Sequence, residues 1–220
     1  RPGWHIEDTA ISEKYLGQQY DIHGGGQDLK FPHHEAEIAQ QQASSGKVPF
    51  VNYWMHAGFL INKSDKMSKS LGNFNTLRDV YSTLSNHPAE TLRLYFLSAH
   101  YRSPLAFEES LIKQAGTAID RIADFLARLS HISGEENPVA DELLKSQSEK
   151  FNLAMDDDFN APAGIASVFE LIRSLNSLIS QNKLSANQAI AILAFFNETV
   201  EKILGIVPEP KEQSIPNEVL

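Results

Sequence analysis

Cysteine is absent from the 220 residues of the chain. Its absence excludes a disulfide framework, a zinc finger with thiolate ligands and a catalytic thiol within these residues. Long apolar runs are missing as well, and none approaches the ~20 residues that a bilayer crossing needs. We therefore expect no membrane contact, and a core that folds without a covalent staple.

Basic residues are scarce relative to acidic ones. The 19 Lys and Arg against 28 Asp and Glu give a net charge of −9, so the surface as a whole should not attract polyanions. Eighteen of the acidic residues follow residue 100, whereas seven of the eight histidines lie within the first 100 residues. Any nucleic-acid contact must be local, and candidate ligand groups concentrate in the first half.

The first half of the chain alternates strand-like runs with helical stretches, which predicts an α/β fold. Residues 20–22 read as a strand that leads into Gly24-Gly25-Gly26, and residues 32–45 read as a helix with a proline in its first turn. Residues 50–61 are rich in aromatic and β-branched side chains and precede a polar loop, as expected for a strand.

The second half predicts an all-α antiparallel bundle. Apolar residues recur every three or four positions in two stretches, and a third helical stretch, 186–204, ends at Gly205. The two predicted stripes are Leu111, Ala115, Ala118, Ile122, Leu126 and Leu129, and Ile165, Val168, Phe169, Ile172, Leu175 and Ile179. We thus predict an α/β part over residues 1–100, a helical bundle over 101–207 and a linker over 208–220.

Lys66 and Lys69 belong to the run Lys-Met-Ser-Lys-Ser at residues 66–70. Two ammonium groups and two hydroxyls on a loop after a strand suit a departing pyrophosphate. A Lys- and Ser-rich turn is also typical of a solvated surface loop.

His33 and Glu37 are four residues apart and so share one face of a helix, where they can ligate one metal ion or form a solvent-facing pair. The glycines at 24–26 either let a nucleotide approach the backbone or form a sharp turn. Asp28 can contact that nucleotide or cap the N-terminus of a helix.

Other conspicuous groups favour structural roles. The pairs Tyr53-Trp54 and Tyr95-Phe96 are expected in the core. The acidic triplet at 156–158 precedes a helix and is expected to cap it.

Several runs together resemble the cysteinyl-tRNA synthetases, a family of class I aminoacyl-tRNA synthetases. They are Trp-His-Ile-Glu at 4–7, residues 21–29, Phe-Pro-His-His-Glu at 31–35, Trp-Met-His at 54–56, the Lys-Met-Ser-Lys-Ser run, and Met-Asp-Asp-Asp-Phe-Asn-Ala-Pro at 155–162. The resemblance implies a Rossmann-like catalytic domain followed by a helical stem-contact domain. It also implies ATP-dependent activation of cysteine, with magnesium accompanying ATP, and transfer of cysteine to tRNA(Cys) by a cytoplasmic enzyme, which we expect to be monomeric.

The resemblance implies a role for each matched residue. Lys66 and Lys69 would stabilise pyrophosphate. Trp4 would line the amino-acid pocket, with His5 and His23 around the thiolate. The implied ATP-site residues are Gly24, Gly25, Asp28, His56 and Lys69, and the implied zinc ligands are Asp8, His33 and Glu37.

Asp8 departs from the family pattern, because the family has a zinc-binding cysteine at this position. Two alternatives follow. Asp8 can act as an oxygen ligand that makes the site harder, or the site no longer holds zinc and Asp8 is a polar residue near a helix start. We favour retained zinc, because a direct metal bond distinguishes cysteine from serine better than ordinary pocket contacts do.

No HIGH-type ATP-positioning element occurs in these residues. We read the chain as a piece of a longer enzyme that starts inside the catalytic domain and lacks the anticodon-binding end, and we expect it not to aminoacylate tRNA alone. Two alternatives stay open: the related cysteine ligase of the mycothiol pathway, which uses an aminosugar acceptor, and a noncatalytic synthetase paralogue that only binds.

Overall fold

A computed structural model describes residues 3–62, 65–66, 76–84 and 86–209. The chain forms two compact units. The first comprises Arg1–Lys66 and Tyr101–Ala106, and the second comprises Met67–His100 and Phe107–Leu220. Among the described residues, no helix is at once long and apolar enough to cross a membrane.

The first unit is built around a βαβ arrangement. In chain order its elements are α1 (His5–Leu16), β1 (Tyr20–Gly26), a 3-10 turn (Gln27–Leu29), a π-helical turn (Lys30–His34), α2 (Glu35–Ser45), β2 (Val51–Ala57), β3 (Leu60–Asn62), β4 (Asp65–Lys66) and β5 (Leu105–Ala106). Strands β1 and β2 pair in parallel, and α2 supplies the crossover that such a pair requires. A second sheet has the order β4-β3-β5.

The register of β1 against β2 determines which side chains become neighbours. His23 lies beside Trp54 and Gly25 beside His56, so the ends of two parallel strands bring imidazoles and an indole together. The glycines at 24–26 are strand residues, so the predicted sharp turn at this point is wrong. The reason is that β2 offers a full set of backbone partners up to Gly26, through its Ala57.

The second unit is helical, as predicted. Its elements are α3 (Leu77–Thr83), α4 (Pro88–Leu97), α5 (Glu109–Leu129), α6 (Pro138–Asp156), α7 (Ala161–Ser180), α8 (Ala186–Phe195), a π-helical turn (Phe196–Glu201) and α9 (Lys202–Leu204). The last helix ends at Gly205, whose φ of 62° is the left-handed conformation expected after a helix. The largest fully buried side chains of this unit are Tyr95, Phe125, Phe151, Phe196, Ile119, Ile122, Leu171, Leu175, Leu184, Ile192 and Ile206.

The apolar stripes lie close to their predicted positions. On α5 the buried stripe passes through Ile112, Ile119 and Phe125, so Leu111, Ala118 and Leu126 from the predicted set lie at its margin. On α7 the buried residues include Val168, Leu171 and Leu175. The predicted period was correct: Ala115, Ile122 and Leu129 of the predicted α5 set are buried, and each of the other three lies next to a buried residue.

Two structural expectations are wrong in part. Tyr95 is buried, but Tyr53 and Phe96 are 68% and 46% exposed, because each is on the outer face of its element. The acidic triplet at 156–158 does not cap α7. Asp156 ends α6 and Asp157 follows it, while the side chain of Asn160 caps α7 by accepting from the Ala163 amide.

Candidate metal centre

Asp8, His33 and Glu37 come together as a group whose ligand atoms lie within 4.8 Å of one another. Asp8 comes from the first turn of α1, His33 from the π-helical turn, and Glu37 from the first turn of α2. His33 Nε2 lies 2.7 Å from Glu37 Oε1 and 3.0 Å from Asp8 Oδ2. Because His33 and Glu37 are four residues apart, their side chains lie side by side, as the sequence predicts.

Glu37 is the most unusual member of the group. It is fully buried, and neither carboxylate oxygen has a well-aligned hydrogen bond. Burial, and to a smaller extent the charge of Asp8, raises the pKa of Glu37 to about 7. A buried carboxylate left this way is costly unless a cation balances it.

The three donors fit a zinc ion. Carboxylate oxygen and imidazole nitrogen are accepted zinc ligands, and atoms around a tetrahedral zinc at ~2.0–2.1 Å lie ~3.3 Å apart. The spacings of 2.7 and 3.0 Å around His33 Nε2 require only a small expansion to reach that value. The unsatisfied oxygens of Glu37 are the atoms that a cation would bind.

A second group shares Glu37. His23, His34 and Glu37 also place ligand atoms within 4.8 Å, and His23 Nε2 lies 3.6 Å from Glu37 Oε2. His34 Nδ1 lies 2.8 Å from His56 Nε2. The four side chains therefore form a continuous polar network beside the proposed metal position.

Burial favours the neutral form of the imidazoles in this network. Desolvation first, and then the neighbouring imidazoles of His23 and His56, lower the pKa of His34 to about 4. Desolvation also lowers the pKa of His23, and burial followed by the charges of Lys30 and Arg102 lowers that of His56. Neutral imidazoles can bind a metal or accept a proton from a substrate, whereas protonated ones can do neither.

Aromatic rings surround these groups. Trp4 stacks on His33 with ring centroids 3.6 Å apart, and Trp54 stacks on His23 at 4.8 Å. The ring of His5 lies 5.9 Å from that of His33. Trp4 is 58% exposed, so it has an open surface beside the ligand group. The structure thus brings Trp4, His5 and His23 to the same place as the three candidate ligands.

A cavity of the first unit adjoins the network. It is lined by Gln27, Lys30, His34, Glu35, Ile38, Trp54, His56 and Arg102. The Gln27 amide donates to the Arg102 carbonyl at 2.5 Å, which fixes the two segments at this cavity. Of the predicted ATP-site residues, His56 lines the cavity and Asp28 belongs to the adjoining 3-10 turn. Asp28 is not the N-cap of either helical turn.

Gly24 and Gly25 differ in the space that surrounds them. A Cβ added to Gly25 would lie 2.8 Å from His34 Cε1, so only glycine leaves room for that imidazole. A Cβ on Gly24 would meet only the Met55 carbonyl at 3.6 Å, an ordinary contact.

The predicted phosphate-binding lysines are largely beyond the described part of the structure. The backbone of Lys66 ends β4, and Lys69 lies outside the described residues. Their proposed roles therefore stay predictions.

Four residues at this site were not predicted from the sequence: His34, Trp54, Lys30 and Arg102. The two successive histidines at 33–34 could have indicated His34 as a site residue, because adjacent residues of a helical turn can join two neighbouring clusters of ligand groups. Arg102 was not predictable from its neighbours in the sequence, because contacts with distant segments, such as the pairing of β3 with β5 and the hydrogen bond from Gln27, bring it to the cavity.

Comparison with known proteins agrees with this geometry. Residues 1–117 match the family model of class I (C) tRNA synthetase catalytic domains, and residues 150–208 match the DALR domain. The chain belongs to the class I tRNA synthetases of this catalytic-domain family. The prediction of an α/β catalytic domain followed by a helical domain is confirmed. The boundaries proposed at residues 100 and 207 stay predictions.

Among curated proteins, the chain is similar to cysteine–tRNA ligases. The chain is 43% identical to the cysteine–tRNA ligase of Geobacter sulfurreducens over 214 residues, which cover 94% of this chain and 43% of that protein. It is 44% identical to the cysteine–tRNA ligase of Acinetobacter baylyi over 219 residues, covering all of this chain and 44% of that one. The chain thus spans less than half the length of these relatives.

A solved structure shows the same fold. The methionyl-tRNA synthetase of Mycobacterium tuberculosis, in complex with methionyl-adenylate, superposes with a TM-score of 0.58 at 18% identity. The match covers 73% of this chain and 34% of that structure.

Proposed function

We propose that the chain carries the cysteine-recognition part of a cysteine–tRNA ligase, an enzyme that activates cysteine with ATP and transfers it to tRNA(Cys). The observation that supports this most is the fully buried, unsatisfied Glu37 carboxylate beside Asp8 and His33. The identity of 43–44% to cysteine–tRNA ligases supports the tRNA acceptor over the aminosugar of the alternative ligase.

Asp8, His33 and Glu37 would hold a zinc ion, with Asp8 in place of the family's cysteine. When bound, zinc lowers the pKa of a thiol and prefers the thiolate to a neutral hydroxyl, which selects cysteine over serine. Trp4 and His5 would enclose the amino acid, and neutral His23 would lie near its side chain.

The remaining predicted residues would serve ATP. Gly24, Gly25 and Asp28 would lie along the nucleotide, and His56 would contact it from the adjoining cavity. The cysteine carboxylate attacks the α-phosphate, the bond to pyrophosphate breaks, and Lys66 and Lys69 stabilise the charge that develops on the leaving group. The terminal adenosine hydroxyl of tRNA then attacks the carbonyl carbon and releases AMP. Catalysis rests on positioning and charge, without a covalent enzyme intermediate.

Calorimetric titration of the zinc-loaded chain with cysteine and with serine tests the proposed selectivity. We expect a preference for cysteine greater than the ~10–200-fold that ordinary pocket contacts give. Asp8→Ala should reduce that preference, whereas Glu13→Ala, at a half-buried acidic position toward the far end of the same helix, should not. Equal affinities for the two amino acids would contradict the proposal.

Lys69→Ala tests the proposed role of the lysine loop in the complete enzyme. It should slow cysteine-dependent ATP–pyrophosphate exchange far more than it weakens cysteine binding. An equal loss of both would contradict the leaving-group role. We further expect the 220 residues alone not to catalyse the exchange, since they contain no HIGH-type element.

A further inference from the structure

The two carboxylate oxygens of Glu37 face different histidines. Glu37 Oε1 lies 2.7 Å from His33 Nε2, within the proposed zinc site, whereas Glu37 Oε2 lies 3.6 Å from His23 Nε2. Both oxygens are buried, and neither has a well-aligned hydrogen bond within the described part of the chain. A zinc ion beside Asp8 and His33 accounts for Oε1, so the side of the carboxylate that faces His23 needs a cationic partner of its own.

The local fold places a histidine on each side of Glu37. His33 and His34 come four and three residues before Glu37, and His23 reaches the same carboxylate from β1. Among the residues that the structure describes, the donors form two groups of three that share Glu37, rather than one group of five. Since the ligands of a tetrahedral zinc lie ~3.3 Å apart, one ion serves only one group at a time.

The group of His23, His34 and Glu37 has the donors of a zinc site. Two imidazole nitrogens and one carboxylate oxygen are the protein ligands of several catalytic zinc ions, with water in the fourth position. The three donor atoms lie within 4.8 Å of one another, and the side chains of His34 and Glu37 are buried. Imidazole also suits other divalent transition metals, so the ligand class is a divalent cation of borderline softness, such as zinc.

Hydrogen bonds orient both imidazoles of this group. The Tyr20 hydroxyl lies 2.5 Å from His23 Nδ1, and His56 Nε2 lies 2.8 Å from His34 Nδ1. Each contact uses one ring nitrogen and leaves the other for a cation. Metal-binding histidines are held in this way, because the outer partner fixes both the tautomer and the direction of the ring. Tyr20 and His56 therefore act as positioning residues for the two ligands.

We propose that His23, His34 and Glu37 form a second zinc site, and that Glu37 bridges the two ions through its two oxygens. Carboxylates that serve two cations are typical of two-metal proteins. The second ion binds more weakly, because its single carboxylate is shared, whereas the first site also has Asp8. The inference goes beyond the proposed function, which needs only the first ion.

The test counts the zinc ions that the full chain binds. Equilibrium dialysis at rising free Zn²⁺, with atomic absorption as the readout, compares the parent with His34→Gln, Tyr20→Phe, Asp8→Ala and Glu37→Gln. The control is His131→Gln, which removes an exposed histidine of the second unit. Thermal melting checks folding, and Tyr20→Phe removes only a hydroxyl, so it tests the site with little change in packing.

We expect the parent to bind two ions, the second roughly tenfold or more weakly than the first. His34→Gln and Tyr20→Phe should each weaken the second ion by roughly tenfold or more and retain the first. Asp8→Ala should weaken the first ion and retain the second. Glu37→Gln should weaken both, because the two positions share this carboxylate, and His131→Gln should match the parent.

A parent that binds a single ion would overturn the proposal. A second ion that His34→Gln leaves unchanged would overturn it in favour of adventitious zinc elsewhere on the chain, and loss of both ions in Asp8→Ala would overturn it in favour of one shared position. Titration of the chain carrying one zinc with cysteine and serine separates this proposal from the proposed function. Selectivity for cysteine without a second ion refutes the second site alone, whereas a second ion without selectivity refutes the proposed function alone.

Discussion

Replacement of Glu37 by glutamine should have opposite effects on the metal-free and the metal-loaded chain. The side chain is fully buried without a well-aligned hydrogen bond, and burial together with the Asp8 charge raises its pKa from 4.5 to about 7. With ~1.4 kcal/mol per pKa unit, the ionised form costs about 3 kcal/mol relative to an ordinary glutamate. Glutamine has nearly the same shape and no charge, so it avoids this cost.

The sign of the pH dependence follows from the raised pKa. The folded, metal-free chain retains the Glu37 proton to higher pH than the unfolded chain does. Its contribution to stability is therefore fully present below the unfolded pKa near 4.5 and is lost as pH rises to about 7. Between pH 5 and pH 8 this loss amounts to about 2–3 kcal/mol.

The assay is urea unfolding with a chelator present, followed by circular dichroism across this pH range. His34, with its pKa lowered to about 4, contributes a slope of opposite sign, because its stabilisation is lost as pH falls below its ordinary pKa of 6.5. The informative quantity is therefore the difference between the parent and Glu37→Gln. We expect the variant to be more stable by about 2–3 kcal/mol at pH 8 and by less than about 1 kcal/mol at pH 5.

Zinc should reverse the order at pH 8, stabilising the parent by mass action and leaving the variant largely unchanged. Glu35→Gln, at an exposed position on the same helix, is the matched control and should show neither effect. A stability difference that stays constant between pH 5 and pH 8 would refute the account of a buried, unbalanced carboxylate.

Two further predictions concern packing. Gly25→Ala places a Cβ 2.8 Å from the buried His34 ring and should lower the free energy of unfolding in urea by about 1–3 kcal/mol. Gly24→Ala makes only a 3.6 Å contact and should lower it by less than about 1 kcal/mol. Equal losses would contradict the need for space at Gly25. Phe151→Ala leaves a cavity at a fully buried position and should lower the free energy of unfolding by about 3–5 kcal/mol. Leu153→Ala, at a site that is 68% exposed, should change it by under ~1 kcal/mol. A small loss for Phe151→Ala would show that the surrounding core can collapse into the cavity.

Local periodicity was sufficient for much of the fold. The helices α5 and α7 followed from apolar residues every three or four positions, and Gly205 marked the end of the last helix. His33 and Glu37 were predictable as a pair because two side chains four residues apart share one face of a helix.

Features that depend on tertiary pairing were not predictable in this way. The glycines at 24–26 read as a turn, yet the parallel neighbour β2 holds them in a strand. The burial of Glu37 depends on α1 and α2 packing together, which no local pattern encodes.

Zinc-edge X-ray absorption of the loaded chain tests the central claim most directly. Because the chain contains no cysteine, any sulfur next to zinc must come from methionine or from an added ligand. We predict a first shell of oxygen and nitrogen only, the appearance of a sulfur signal on addition of cysteine, and no change on addition of serine. Asp8→Ala should weaken zinc binding itself. A zinc spectrum that cysteine leaves unchanged would contradict the account.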